Sequence, residues 1–204
     1  MTNQEIMTVF CDWIDKTICQ KFMLKVPDDE ENGEEYHVQF AHPSVFPYFV
    51  PPEYTGVDVQ RVPSICVQFL ETEDQFEGAS VGKKTIPVRL VLTTWNPGDH
   101  VVFDPHEDPE QLGGVAYTVD NSEYERKVDG WKDVLNLIDA ILREIFAEEI
   151  IEGIRADLKS VKYGLFKDEE DNLLFMYPYW AGYIDFKVTM GAPRLAPSKY
   201  DDIL

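Results

Sequence analysis

The chain has 204 residues, of which 38 are acidic and 18 are basic, so its formal net charge is −20. This length suits one domain with a substantial core, and the 44% hydrophobic content argues against an intrinsically disordered chain. The charge opposes binding to nucleic-acid phosphates, which requires clustered Lys and Arg. It fits a soluble acidic surface, a surface that stays near DNA without adhering to it, or a decoy that imitates DNA.

The N-terminal stretch, MTNQEIMTVFCDW, lacks the basic flank of a signal peptide. No apolar run approaches the roughly 20 residues needed to cross a bilayer, so we expect neither export nor membrane insertion. The three cysteines, Cys11, Cys19 and Cys66, form no CxxC pair. This spacing predicts buried free thiols in a reducing compartment instead of a disulfide framework.

Residues 2–22 have the pattern of an amphipathic helix, TNQEIMTVFCDWIDKTICQKF. Thr2 and Glu5 have the spacing of a capping box, in which each side chain accepts a hydrogen bond from the other residue's backbone N–H. Apolar residues recur at steps of three and four and form one stripe that we expect to face a core. The stripe consists of Ile6, Phe10, Trp13, Ile14, Ile18 and Phe22.

Two short strands, FMLKV and EYHVQFA, are predicted on either side of the acidic turn at 27–35. The following segment, HPSVFPYFVPPEYTGV, has four prolines in sixteen residues. Such proline spacing excludes a central strand or a helix interior and predicts an extended arm or ordered loop. A long aromatic loop either forms an interface or packs on its own domain. Our interface candidates are Phe46, Tyr48, Phe49 and Tyr54.

Two longer strands are predicted from alternating apolar residues in VPSICVQFLE (62–71) and TIPVRLVLTTW (85–95). Pro87 has no N–H for a hydrogen-bonded ladder, so it favours an edge position for the second of these strands. Residues 96–128 are rich in Pro, Gly and Asp and predict an irregular region, with a short strand at GGVAYTV.

Residues 129–154 predict a second amphipathic helix, with Asp129 as its N-cap and Gly153 in the turn that ends it. The expected apolar stripe is Trp131, Val134, Leu135, Ile138, Ile141, Leu142, Ile145 and Phe146. Two strands follow, the first patterned by Val161, Tyr163 and Leu165 and the second by the alternation in YWAGYIDFKVTM (179–190). KDEEDN between them predicts a tight acidic turn and hence an antiparallel hairpin.

The order of elements predicts an α+β fold in which a mostly antiparallel sheet is packed on one face by two amphipathic helices. We expect a single domain over residues 1–204, with loop insertions at about 27–60 and 96–128. The other face of the sheet is amphipathic, and a neighbouring subunit would explain it.

One stretch, HVVFDPHEDPE, concentrates metal-ligand side chains: His100, Asp104, His106 and Glu107. Their spacing matches no established ligand pattern and no Cys partner is near, so we assign no metal. The sequence also lacks a nucleophile elbow, a P-loop and a dinucleotide-binding glycine motif. It therefore predicts no catalytic residue and no cofactor.

Three stretches together resemble the tail-terminator (tail-completion, neck) proteins of tailed phages and prophages of Gram-positive bacteria. They are RVPSICVQFLE with TIPVRLVLTTWNPGD, then GWKDVLNLIDAILRE, and finally SVKYGLF with YPYWAGYIDFKV. The resemblance lies in element order and short hydrophobic phrases across most of residues 1–190. Compared with many such proteins, this chain is longer, chiefly in 27–60 and 96–128.

The resemblance implies a non-enzymatic structural protein that self-assembles into a ring, commonly hexameric, which caps the tail tube and joins it to the head-side connector. It implies a location in the host cytoplasm during assembly and then in the virion tail. An acidic lumen would let DNA slide, without sequence-specific binding. From composition, we expect the contacts between neighbouring copies to lie in residues 43–54 and 96–128. Two alternatives are an acidic inhibitor or DNA mimic that binds a basic partner, and a metal-dependent enzyme that uses the segment from His100 to Glu107.

Overall fold

The computed structural model describes residues 1–27, 39–71, 73–77, 81–100, 103–107, 115–119, 124–148 and 150–191. These residues form an α+β fold with a mostly antiparallel sheet, as expected. The helices are α1 (Asn3–Thr17) and α2 (Trp131–Ala147), and single 3₁₀ turns occupy Cys19–Lys21 and Glu53–Thr55. The strands are β1 (Leu24–Val26), β2 (Gln39–Ala41), β3 (Ser44–Pro47), β4 (Ser64–Phe69), β5 (Glu73–Glu77), β6 (Val81–Trp95), β7 (Gly98–His100), β8 (Phe103–Glu107), β9 (Val115–Val119), β10 (Tyr124–Arg126), β11 (Ile150–Ile151), β12 (Ile154–Leu165) and β13 (Tyr179–Gly191).

The main sheet has seven strands in the order β11-β12-β13-β6-β4-β3, with β5 paired to one end of β6. The β3–β4 pair is parallel, and the other strand pairs in the described part of the chain are antiparallel. Three separate two-stranded ribbons are β1–β2, β7–β10 and β8–β9. The long β13 pairs with β6 along its whole length, from Tyr179 with Trp95 to Gly191 with Lys83.

Helix α1 begins with the predicted capping box. Thr2 Oγ1 accepts a hydrogen bond from Glu5 N at 3.2 Å, and Glu5 Oε2 accepts one from Thr2 N at 2.7 Å. The helix ends at Thr17, earlier than its apolar pattern predicts, and Cys19 continues the chain in a 3₁₀ turn. The buried ring of Phe10 meets the rings of Phe69 and Phe186 edge-on, at centroid distances of 6.5 and 6.1 Å.

Helix α2 begins differently from the prediction. Its N-cap is Gly130, and Asp129 instead places its carboxylate 2.6 Å from Lys132 Nζ. A Cβ atom at residue 130 would lie 2.3 Å from Trp180 Nε1, so this close approach requires glycine. Leu137, which the predicted stripe omitted, is fully buried, whereas Trp131 and Phe146 are exposed at the two ends of the helix.

The alternation predicted for β13 is confirmed. Trp180, Gly182, Ile184, Phe186 and Val188 are buried, and the residues between them are half-buried or exposed. A Cβ atom at residue 182 would lie 2.6 Å from Val134 Cγ1, so β13 and α2 are in direct contact at this glycine. Residues of both helices and of β4, β6, β12 and β13 form one hydrophobic core cluster.

The edge position expected for Pro87 is wrong, because β6 lies inside the sheet between β13 and the strands β4 and β5. Pro87 falls between Thr85, where the pairing with β5 ends, and Val88, where the pairing with β4 begins. Its carbonyl accepts a hydrogen bond from Leu70 N at 2.9 Å. In an antiparallel ladder the N–H and C=O of a residue point to the same side, so the missing N–H faces this break between partners.

The proline-rich segment after His42 contains a strand in addition to the expected loop. β3 pairs in parallel with β4 at the edge of the main sheet, where prolines are tolerated. The region 96–128 is also more regular than predicted, since β7, β8, β9 and β10 lie within it. Strand β9 falls within the predicted GGVAYTV.

β12 and β13 form the predicted antiparallel hairpin, but their connection is not the tight acidic turn that KDEEDN suggested. It spans residues 166–178, and the acidic turn occupies only its first part. The prediction of free cysteines is confirmed, with Cys19 and Cys66 buried and Cys11 half-buried. Burial raises the pKa of the Cys19 thiol to about 12, and those of Cys11 and Cys66 to about 11.

Candidate protein-interaction surfaces

An apolar groove of about 510 Å³ opens where the β12–β13 connection passes the start of α2. Its lining carries no charged side chain, and several of its residues are largely exposed: Leu173 is 61% exposed and Phe175 is 64% exposed. This is unusual for a chain with a net charge of −20. The groove is lined by Val128, Trp131, Leu135, Leu165, Leu173, Leu174, Phe175, Trp180 and Ala181.

Hydrogen bonds and ring contacts hold the floor of this apolar groove. Trp180 Nε1 donates to Asn96 O at 3.2 Å, and the Tyr177 hydroxyl donates to Pro97 O at 2.6 Å. Phe175 stacks on Tyr177 at a centroid distance of 6.2 Å and meets Trp180 edge-on at 5.7 Å. The groove is therefore preformed, since its aromatic walls are tied to the backbone that follows β6.

The acidic turn at 168–172 positions the residues that follow it against the groove. The Asp168 carboxylate accepts hydrogen bonds from Glu170 N and Asn172 N, both at 2.9 Å. These bonds, that of Asn172 first, hold the pKa of Asp168 below its usual range. Leu174 N then donates to Phe166 O at 2.9 Å, which returns the chain to the end of β12. Leu173 and Leu174 thus follow a turn that is held by this carboxylate and by two backbone hydrogen bonds, from Asp168 N to Asn172 O at 2.8 Å and from Asp171 N to Asp168 O at 3.1 Å.

A second exposed apolar surface lies at the opposite edge of the main sheet, in the loop after β3. We call residues 48–61 the aromatic loop. Tyr48 is half exposed, Phe49 is 67% exposed, and Tyr54 is 90% exposed. Tyr48 N donates to Val67 O at 2.8 Å, and Gln68 Nε2 donates to Tyr48 O at 2.8 Å, so the start of the loop is fixed to β4.

One guanidinium organises the rest of the aromatic loop. Arg61 donates to Pro51 O and to Val57 O, both at 2.9 Å. The 3₁₀ turn at Glu53–Thr55 lies between these two carbonyls and ends at Gly56, whose φ of +68° favours glycine. The exposed side chain of Tyr54 is therefore carried by a closed loop with internal hydrogen bonds.

Of the four predicted interface residues, the structure exposes Tyr48, Phe49 and Tyr54. Phe46 is different, because it lies in β3 and is only 9% exposed. Its ring packs within this chain and is not available to a partner in this arrangement. Proline spacing located the segment, but the inward position of Phe46 follows from the pairing of β3 with β4, which the sequence did not reveal.

The four metal candidates are divided between two ribbons. His100 pairs with Tyr124 in β7–β10, whereas Asp104, His106 and Glu107 lie in β8, which pairs with β9. The expected loop around Asp104 is instead a strand at Phe103–Glu107. The side chains of these four residues lie outside the described residues, so the alternative of a metal-dependent enzyme stays an untested hypothesis. Among the side chains that are described, no three His, Cys, Asp or Glu residues are grouped as metal ligands.

The sheet surface on the other side from Phe186 carries an ion pair. Arg89 Nε and Nη2 each donate to one oxygen of the Asp185 carboxylate at 2.7 Å, and the Arg89 guanidinium lies 5.4 Å from the Tyr183 ring centroid. The hydrogen bond to Asp185 is the main cause of the raised pKa of Arg89. This bidentate pair cross-links the central strands β6 and β13.

Sequence reasoning missed the apolar groove, although a signal for it is present. Leu173, Leu174, Phe175 and Met176 are four consecutive apolar residues in a connection between two strands. All four are exposed. A run of this length in a loop indicates a functional surface when it is not buried by its own domain.

No protein-family model matches this chain, and no curated protein matches it. In the described part of the chain, no helix combines the length and the apolar character that crossing a bilayer would require. The two exposed apolar surfaces and the charge are therefore the features of the chain that bear on its function.

Proposed function

We propose that this chain is a non-enzymatic structural protein of the phage or prophage tail-terminator or head–tail joining type, whose copies assemble as a ring that caps the tail tube. The observation that carries the proposal is the position of the two apolar surfaces. The groove lies at the β12 side of the main sheet and the aromatic loop at the β3 side. A ring requires two different contact surfaces on each copy, joined head to tail.

The arrangement of the helices supports the same architecture. Residues two apart on a strand share a face, so Gly182 and Phe186 point to the same side of β13. Val134 of α2 lies against Gly182, and Phe10 of α1 lies against Phe186. We therefore propose that the two amphipathic helices cover one face of the sheet. The edges and the opposite face are then left for the rest of the assembly.

The negative charge of the chain supports a ring through whose lumen DNA passes. A ring of copies with a net charge of −20 each would repel phosphates from its lumen, so DNA could pass without adhering. The proposed partners are other copies of this chain, the tail-tube protein and the head-side connector, with no membrane and no sequence-specific contact to nucleic acid. The proposed location is the host cytoplasm during assembly and the virion tail afterwards.

The test is direct. The purified chain is studied by sedimentation velocity over a range of concentrations and by negative-stain electron microscopy, alone and with the tail-tube protein encoded beside it. We expect closed rings that sit on tube ends and stop tube elongation. A chain that stays monomeric at every concentration, and leaves tube length unchanged, would refute the proposal.

The charge also favours a second candidate function, an acidic inhibitor that imitates DNA. Carboxylates spaced like duplex phosphates would then bind a basic partner, and the affinity would fall steeply with salt. Titration of the chain into a sequence-nonspecific nuclease at low and high salt separates the two functions. Salt-sensitive inhibition by the monomer supports the inhibitor, whereas ring formation without inhibition supports the tail protein.

A further inference from the structure

We propose that the apolar groove of one copy receives the aromatic loop of the next copy, with Phe49 and Tyr54 as the inserted side chains. This inference rests on the ring assembly proposed above and names the contact that would build it. The groove is lined by the ends of β12 and β13, and the loop follows β3, so the two surfaces are three to four strand spacings apart, or roughly 14–19 Å. Each copy can therefore offer its loop to one neighbour and its groove to the other.

The volume of the groove fits this occupant. A cavity of about 150 Å³ accommodates a benzene ring, so a groove of about 510 Å³ has room for two aromatic side chains. Phe49 and Tyr54 are the two most exposed aromatic residues of the aromatic loop. Aromatic anchors inserted into preformed apolar pockets are the usual energetic centres of protein interfaces.

The exposed area fits an interface of ordinary size. An aromatic side chain buries about 150–250 Å², and aliphatic ones bury less, so the exposed fractions at the groove add up to roughly 600 Å². Monomers seldom leave more than about 300–600 Å² of contiguous apolar surface exposed, and each partner in a standard interface contributes about 800 Å². The contributing residues are Val128, Trp131, Leu173, Leu174 and Phe175 of the groove, together with Met176 and Tyr179, which adjoin it in the chain.

The charge of the chain explains why a second copy would bind at this place. Copies that each carry −20 repel one another over most of their surface. The groove lining carries no charge, so two copies can approach there without desolvating a carboxylate. Lys132 and Lys167 border the groove and are ion-paired with Asp129 and Asp171, which offsets part of the acidic charge beside it.

Paired cysteine variants test the contact. One population of the chain carries Leu173→Cys and another carries Tyr54→Cys; they are mixed, treated with a short bismaleimide, and the linked peptides are identified by mass spectrometry. The native thiols have raised pKa values, which keeps their reaction slow. We expect a link between residue 173 of one copy and residue 54 of another, and no 173–173 link.

Ile150 supplies the matched control, because it is 61% exposed, as is Leu173. Ile150 pairs with Arg155 near the start of β12. Arg155 and Leu165 pair with Thr189 and Gly182 of β13, which are seven residues apart, so the control lies about 23 Å from the groove. Ile150→Cys mixed with Tyr54→Cys should give no link. In sedimentation velocity, Leu173→Glu and Phe49→Glu should weaken self-association about tenfold or more, while Ile150→Glu leaves it unchanged.

The outcomes separate this inference from the proposed function. If the wild-type chain forms rings but the 54–173 link is no stronger than the link with the Ile150 control, the proposed contact is wrong and the proposed ring is still supported. A 54–173 link in open oligomers that never close would support the contact and refute the ring. A strong 173–173 link would mean that two grooves meet face to face, which also overturns the inference. Circular dichroism melting of each glutamate variant shows whether a loss of association reflects a loss of the fold.

Discussion

Gly182 offers the sharpest test of how α2 packs on the sheet, through the substitution Gly182→Ala. The added Cβ atom would lie 2.6 Å from Val134 Cγ1, 2.9 Å from the backbone oxygen of Gly164 and 3.3 Å from Ile138 Cδ1. Non-bonded carbon atoms prefer about 3.5–4.0 Å, so the helix must retreat by nearly 1 Å or the strands must shift. Such overpacking costs about 1–3 kcal/mol.

Gly164→Ala is the matched control for this substitution. Gly164 lies in the neighbouring strand β12 and pairs with Tyr183, and an added Cβ there would meet only Tyr183 Cε1 at 4.0 Å. Both variants gain about 0.5–1 kcal/mol from the lost backbone freedom of the unfolded chain. The difference between them therefore isolates the clash with α2 and with the Gly164 carbonyl, which we take as about 2 kcal/mol.

The assay is thermal unfolding followed by circular dichroism, with urea unfolding as a check on the free energy. For a chain of this size, 1 kcal/mol shifts the melting temperature by about 2–4 °C, so Gly182→Ala should melt roughly 4–8 °C below Gly164→Ala. Equal melting temperatures for the two variants would refute the close seating of Val134 against β13.

Three further predictions concern an ion pair, a thiol and a turn. Replacing Arg89 by Gln and Asp185 by Asn, singly and together, should give a coupling energy of about 0.5–1.5 kcal/mol in urea unfolding, because the ion pair is bidentate but partly exposed. Full additivity of the two substitutions would show that the ion pair does not stabilise the fold. Burial raises the pKa of Cys19 from 9.0 to about 12. The stability that the neutral thiol contributes is therefore complete below pH 9 and is lost between pH 9 and about 12. Cys19→Ala should flatten the fall of the urea midpoint at alkaline pH, and an unchanged pH profile would contradict this prediction. Asp168→Ala removes the side-chain acceptor of the turn before Leu173 and leaves its backbone hydrogen bonds, so self-association in sedimentation velocity should weaken with little change in melting temperature. Association as strong as that of the wild-type chain would show that this carboxylate does not position the groove.

Much of the fold could be predicted because its signals are local. The capping box of Thr2 and Glu5 needs only residues three apart, and the alternation in β13 needs only residues two apart, so both patterns predicted the observed structure. The α2 stripe was predicted on the same basis, but its boundary was not. Gly130 begins that helix because Trp180, fifty residues later in the chain, occupies the space that a side chain would need.

The candidate site was predicted only in part. The aromatic loop could be located because prolines restrict the backbone wherever they occur, yet the sequence could not tell that Phe46 turns inward while Phe49 and Tyr54 remain exposed. The groove depends on three separate segments, namely the start of α2, the end of β12 and the connection to β13. No local pattern connects these segments, so the run from Leu173 to Met176 could not be assigned to a surface.

Local patterns in the sequence were enough to predict the two helices, most of the longer strands and a strongly acidic α+β chain with free thiols, but not β3 or most of the short strands in 96–128. The tertiary structure alone decided the position of Pro87 at the break between two strand partners, the glycine start of α2 and the placement of two apolar surfaces at opposite edges of one sheet. The difference follows from how far apart along the chain the interacting residues lie. Secondary structure follows from hydrogen bonding and burial patterns among near neighbours, whereas surfaces arise where segments distant in the chain meet.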